Sequence, residues 1–223
     1  MSRPRVLLLK MGTTEPQLVA EHGDYDDWFK GRLDADCSVT KAFAGEGFPA
    51  GDWDGILLTG SPLSVRDEAP WMLDTARRAL AEAGQGTPVL GVCFGHQAIG
   101  EVLGGRVEPH PDALEIGTIA VELTDAGRRD PLFDGLGEVA VVQSTHRDLL
   151  ARAPRGCTRL GGTAHTHWQA YSFGDRVRCV QFHPELPAAV LTRLLALRQQ
   201  TAPVRETSHG ARILANWLRG FVL

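Results

Sequence analysis

Cys93 stands between two glycines in Gly91-Val92-Cys93-Phe94-Gly95, after the apolar run Pro88-Val89-Leu90 and before a helix-like run from Gln97 to Leu103. Gly-x-Cys-x-Gly between a strand and a helix reads as a nucleophile elbow with cysteine in the place of serine. The flanking glycines are expected to let the chain turn sharply enough to lift the thiol clear of the sheet. Free N–H groups in the first turn of the helix would then favour the thiolate. A glycine-rich turn can also hold an inert buried cysteine, so the elbow needs a base. Cys179-Val180-Gln181-Phe182-His183-Pro184-Glu185 offers one, an apolar run ending in histidine with a carboxylate two residues on. A cysteine nucleophile needs a base to take its proton, and the base needs a group to fix its tautomer. Cys93, His183 and Glu185 fit those roles in that order.

Four segments, in sequence order, give the chain a family resemblance: Gly55-Ile56-Leu57-Leu58-Thr59-Gly60-Ser61-Pro62, Gly91 to Gln97, Ser144-Thr145-His146-Arg147-Asp148, and Gln181 to Glu185. With these the chain resembles the class I glutamine amidotransferases. The resemblance implies a Cys-His-Glu triad on a flavodoxin-like, mostly parallel sheet flanked by helices. It implies an oxyanion hole built from backbone N–H groups of Phe94 and the Gly60-Ser61 loop. The family usually has two glycines at that loop. A serine serves equally if its φ is negative, because the donor is the backbone. The resemblance also implies a substrate pocket formed by Gln97 with Ser144, Thr145 and His146, and a bracing role for Asp148. The expected reaction is hydrolysis of the side-chain amide of glutamine, or of a γ-glutamyl compound, through a γ-glutamyl thioester on Cys93.

The elements that must position these groups follow from apolar patterning. Val6–Lys10, Val39–Phe43, Asp54–Thr59 and Val89–Val92 read as short buried strands. Gln17–Leu33 and Pro70–Ala83 read as helices between them, and another helix follows Cys93. Such alternation predicts a parallel sheet covered on both faces, with ligands at the carboxyl ends of its strands. Ser61, Cys93 and His183 all fall just past strand ends. Ile116–Leu123, Val139–Gln143, Thr158–Leu160 and Ala170–Phe173 are β-rich and predict added antiparallel strands. Val177–Phe182 leads back to the site, and Leu191–Leu197 and Gly210–Leu218 read as helices. His165-Thr166-His167 has the alternation of a surface strand, and His96 reads as structural. The whole span 1–223 is expected to form a single domain.

Composition narrows the class. The chain has 223 residues, 43% hydrophobic and 22% charged, which suits a large packed core. A net charge of −4 offers no basic face for nucleic acid. Four dispersed cysteines form neither a zinc pattern nor a disulfide framework, and the apolar run at Val6–Leu9 is too short for a signal or membrane segment. A cytoplasmic protein without metal or cofactor is expected. The chain stops at Leu223 with no synthase domain in view, which leaves two readings open: service to a separate synthase subunit, or action alone. Segments such as Asp67-Glu68-Ala69-Pro70-Trp71 and Ala211-Arg212-Ile213-Leu214-Ala215-Asn216-Trp217 are similar to stand-alone bacterial proteins related to the glutaminase of GMP synthetase, and to plant γ-glutamyl peptidases. A regulatory module without activity is the alternative from a different class.

Overall fold

The computed structural model describes residues 3–111 and 114–223. In its first half strand and helix alternate: β1 (Arg5–Lys10), α1 (Pro16–His22), α2 (Tyr25–Lys30), β2 (Asp36–Lys41), β3 (Gly55–Leu58), α3 (Pro70–Gly84), β4 (Val89–Val92) and α4 (Phe94–Val102). These strands are apolar on both faces because both faces are covered. In β1, Val6 and Leu8 join a core with Leu57, Leu90, Phe29 and Trp217, whereas Leu7 and Leu9 join one with Ile56, Met72, Ala76 and Phe94. Each such leucine contributes about 2 kcal/mol by burial.

The second half comprises β5 (Arg106–Pro109), β6 (Glu115–Leu123), α5 (Asp125–Arg129), β7 (Val139–His146), β8 (Asp148–Arg152), β9 (Cys157–Gly162), β10 (Ala170–Phe173), β11 (Val177–Val180), α6 (Ala188–Leu197) and α7 (His209–Trp217). The described strands build a nine-stranded sheet in the order β2-β1-β3-β4-β11-β10-β9-β6-β7. From β2 to β11 the neighbours are parallel, and from β11 to β7 they are antiparallel. This is the expected architecture, a helix-flanked sheet with a parallel body and antiparallel additions. Register aligns Leu58 with Gly91 and Val92 with Val180, so the segments after β3, β4 and β11 leave the sheet at one edge.

Four local expectations change. The helix expected over Gln17–Leu33 is two helices. Gly23, at φ 77°, ends α1, and Asp24 starts α2 through a capping box with Asp27. The strand expected over Val139–Gln143 runs on through Ser144, Thr145 and His146 to the end of β7, where they pair with Gly117, Ile116 and Glu115 of β6. His165-Thr166-His167 lies in turns between β9 and β10 rather than in a strand. Finally, β5 and β8 pair in a separate two-stranded antiparallel sheet that the sequence did not reveal.

Candidate active site

Cys93 caps the N-terminus of α4 with φ 50° and ψ −101°. A non-glycine residue in that region costs about 1–3 kcal/mol, so its surroundings must hold it there. They do so by backbone hydrogen bonds: Cys93 N–H donates to the Val180 carbonyl at 2.8 Å, and Gly95 N–H to that of Thr59 at 3.3 Å. The two flanking glycines have a different purpose from the one expected. Neither has a positive φ. Instead, a Cβ on Gly91 would lie 2.9 Å from Ile99 Cδ1, and one on Gly95 2.6 Å from Leu58 Cβ. They let α4 press against β3 and β4, while the cysteine itself makes the left-handed turn.

His183 leaves the sheet just after β11, and its N–H donates to the Gln143 carbonyl at 2.8 Å. Its Nδ1 lies 2.6 Å from Glu185 Oε1, and both side chains are buried. The ring also shares a hydrogen bond with the Cys93 sulfur. Burial opposes a charged imidazole here, but Glu185 and the Cys93 sulfur outweigh it and push His183 up to about 10. The second oxygen of Glu185, Oε2, has no hydrogen-bond partner among the described residues. Among the described residues the imidazole is thus the one side chain hydrogen-bonded to this fully buried carboxylate. Gln181 adds a donor to the sulfur, with Nε2 3.6 Å from Cys93 Sγ.

Beside the thiol, the backbone N–H groups of Gly60, Ser61 and Phe94 donate to no protein acceptor among the described residues. Ser61 has no positive φ, so the serine sits in this loop without strain. Gly60, in contrast, has no room for a side chain. A Cβ there would stand 2.8 Å from His183 Cε1 and 3.2 Å from Tyr25 Cε1. The loop is tied across the cavity by Ser64 Oγ, which donates to Asp148 Oδ2 at 2.5 Å, and by Arg147, which donates to the Pro62 carbonyl at 2.6 Å. Asp148, the first residue of β8, thus ties down the segment after β3.

A cavity of about 250 Å³ opens over Cys93 and His183. Gln97, Thr145 and His146 line it; Ser144 does not, being fully buried with its hydroxyl on the Glu115 carbonyl at 2.9 Å. Gln97 spends its amide N–H groups on the Asp148 carbonyl, at 2.8 Å, and on Gln181 Oε1, at 3.0 Å. His146 is fixed by contacts at both ring nitrogens, Nδ1 to the Asp148 carbonyl at 3.0 Å and Nε2 to Glu115 at 2.9 Å.

Sequence reading missed Glu115, the hub behind this wall. Its carboxylate also accepts from Thr163, Thr166 and Gln169. Burial disfavours its charge, yet these bonds, led by His146, hold it down to about 2. Also missed were Tyr25, whose ring stacks on His183 with centroids 6.3 Å apart, and the Glu15–Arg198 pair at the opposite wall. No local pattern marks these residues, because each reaches the site through contacts distant in sequence. His96 is structural as expected: it is fully buried against Tyr171, and burial pushes its imidazole down to about 3. No helix among the described residues is long and apolar enough to cross a membrane.

Comparison with known proteins gives a consistent result. The family model described as glutamine amidotransferase class-I matches residues 33–193. The glutamine-hydrolyzing GMP synthase of Bacteroides fragilis is 31% identical over 185 residues, 82% of this chain and 33% of that protein. The chain thus spans about a third of the length of that relative. A glutamine amidotransferase-like protein of Schizosaccharomyces pombe is 24% identical over 222 residues, covering 90% of this chain and 87% of the other. Among solved structures, a glutamine amidotransferase from Thermotoga maritima superposes with a TM-score of 0.79 at 20% identity, covering 100% of this chain and 99% of that one.

Proposed function

The chain belongs to the class I glutamine amidotransferase family, and from that premise we propose that it hydrolyses the side-chain amide of glutamine or of a γ-glutamyl compound, with Cys93, His183 and Glu185 as its catalytic residues. One observation carries the reading. The His183 ring lies between a buried carboxylate 2.6 Å away and the sulfur of a cysteine held on a strained elbow.

The chemistry follows from those positions. His183 takes the proton of the Cys93 thiol. The sulfur attacks the amide carbon, and the new oxyanion accepts from the free N–H groups of Phe94 and the Gly60-Ser61 loop. Collapse breaks the C–N bond, and His183 gives its proton to the departing amine. Water then adds to the thioester as His183 takes one of its protons. The C–S bond breaks as His183 returns its proton to the sulfur, glutamate leaves, and the starting site is restored. Glu185 keeps the Nδ1 proton in place and stabilises the positive ring. With its N–H groups already committed, Gln97 offers a substrate its Oε1, an acceptor suited to the α-ammonium. Residues 1–223 act as one unit in this account.

The lengths of the GMP synthase relatives favour a second possibility, that a synthase receives the ammonia. A glutamate-release assay on glutamine and γ-glutamyl dipeptides, with the wild type and Cys93→Ala, tests the proposal. Release that Cys93→Ala abolishes supports hydrolysis. A folded wild type with no release from any of these compounds, alone or with a synthase, favours the regulatory alternative.

A further inference from the structure

In the proposed reaction the Cys93 sulfur carries negative charge at two moments, as it attacks and as it leaves the thioester. His183 serves both with one ring nitrogen, because Nδ1 is committed to Glu185 at 2.6 Å. The same free nitrogen must also give a proton to the departing amine and take one from water. Cys93 is buried, so solvent does little for the sulfur in the meantime. An anion out of water needs donors of its own. A second donor, one with no other task, would resolve the conflict.

Gln181 occupies that position. It lies between β11 and His183 and is fully buried, and its main-chain N–H donates to the Gln169 carbonyl at 2.8 Å. Its Nε2 is 3.6 Å from Cys93 Sγ, and its Oε1 is 3.0 Å from Gln97 Nε2. Which end of the amide meets the sulfur follows from what lies beyond Gln97. Gln97 Nε2 is also 2.8 Å from the Asp148 carbonyl, which can only accept. Gln97 therefore turns its NH2 group toward Asp148, and that same group faces Gln181. An amide NH2 accepts nothing, so Gln181 meets it with oxygen and points its own NH2 at the sulfur. From Asp148 through Gln97 and Gln181 to Cys93, every donor then faces an acceptor.

Building on the hydrolase reading above, we propose that Gln181 is a further catalytic residue: oriented by Gln97, it donates a hydrogen bond to the Cys93 sulfur whenever that sulfur carries charge. Its amide stays neutral and transfers no proton. The proton movements remain with His183.

The test reads the sulfur directly. Alkylation of Cys93 by iodoacetamide is followed on the Cys93 peptide across pH, in wild type and in Gln181→Met. A hydrogen bond to a charged group changes the population of the sulfur anion about tenfold, and an anion that loses it becomes about threefold more reactive. Alkylation of Gln181→Met should therefore be about threefold slower where the rate still climbs with pH, and about threefold faster on the plateau. Curves that cross in this way support the proposal. Parallel or coincident curves overturn it, since loosened packing would move both regions together. Gln97→Met should move the curve in the same direction by less, and a wild-type curve there overturns the orienting role. Iodoacetamide is not a γ-glutamyl amide, so the two readings separate. Crossing curves in a protein that releases no glutamate uphold the donor and remove the hydrolase reading; parallel curves in an active protein do the reverse. Should Gln181→Met not fold, NMR of the wild type decides. The Gln181 side-chain N–H resonance should move over the pH range in which alkylation rises, and stay still over it in Cys93→Ala. A resonance that is flat in the wild type, or that moves equally in both, overturns the proposal.

Discussion

Replacing Gly60 with alanine adds one methyl group at the tightest point of the site. That Cβ would stand 2.8 Å from His183 Cε1, 3.2 Å from Tyr25 Cε1 and 3.6 Å from Cys93 Cβ. Carbon atoms in contact prefer about 3.5–4.0 Å, so the imidazole must retreat by roughly 1 Å. The backbone adds nothing to this cost, since Gly60 has no positive φ. Overpacking of this kind costs about 1–3 kcal/mol of stability. Misplacing a reacting group by about 1 Å costs on the order of a hundredfold in rate. Gly60→Ala should therefore melt somewhat earlier yet remain folded at 25 °C, with kcat for glutamate release down about a hundredfold. Gly84→Ala is the control. Gly84 ends α3, a Cβ there meets nothing within 4 Å, and the substitution should gain about 0.5–1 kcal/mol with activity unchanged. Rates from a coupled glutamate assay and urea melts on both variants decide the matter. A folded Gly60→Ala protein with near wild-type kcat would refute the geometry assigned to His183.

Two further outcomes follow from the buried charges. Glu115→Gln should cost roughly 3 kcal/mol at pH 7, because it breaks a buried His–carboxylate pair. Glu115 lies below its usual value, so its stabilisation is complete above about pH 4.5 and fades toward about pH 2. The gap between wild type and Glu115→Gln in denaturant melts should close over that range, and a gap independent of pH would contradict the role. His183 is raised, so its stabilisation is complete below about pH 6.5 and is lost as pH climbs toward about 10. The alkaline limb of kcat/KM should fall near pH 10, and NMR of Cys93→Ala should show His183 titrating lower once the sulfur is gone. An alkaline limb near pH 7, or an unmoved His183, would contradict the pairing with Cys93.

How far the sequence could be read depended on how local each signal was. Val89–Val92 and the cysteine turn were legible because a short apolar strand, a glycine and a helix start are neighbours in sequence. Val139–Gln143 was recognised, but the last three residues of β7 were not read as strand. Ser144, Thr145 and His146 are polar, and their β6 partners, which make them strand, lie some thirty residues away. The helix break at Gly23 was hidden because Trp28 and Phe29 extend an apolar pattern across it. The glycines beside Cys93 were found, but their reason was not: close approach by Leu58 and Ile99 is a packing fact. Glu115, Tyr25 and Arg198 carry no motif at all. Ser61, where two glycines were the family habit, needed only its φ to be settled.

The central claim is that the acyl group passes through Cys93. The most direct measurement is peptide mass analysis of protein acid-quenched during turnover of a γ-glutamyl substrate. The account predicts one γ-glutamyl group on the peptide containing Cys93, removed by hydroxylamine and absent from Cys93→Ala, which releases no glutamate. A γ-glutamyl group found on another residue, or undiminished glutamate release by a folded Cys93→Ala protein, would contradict it.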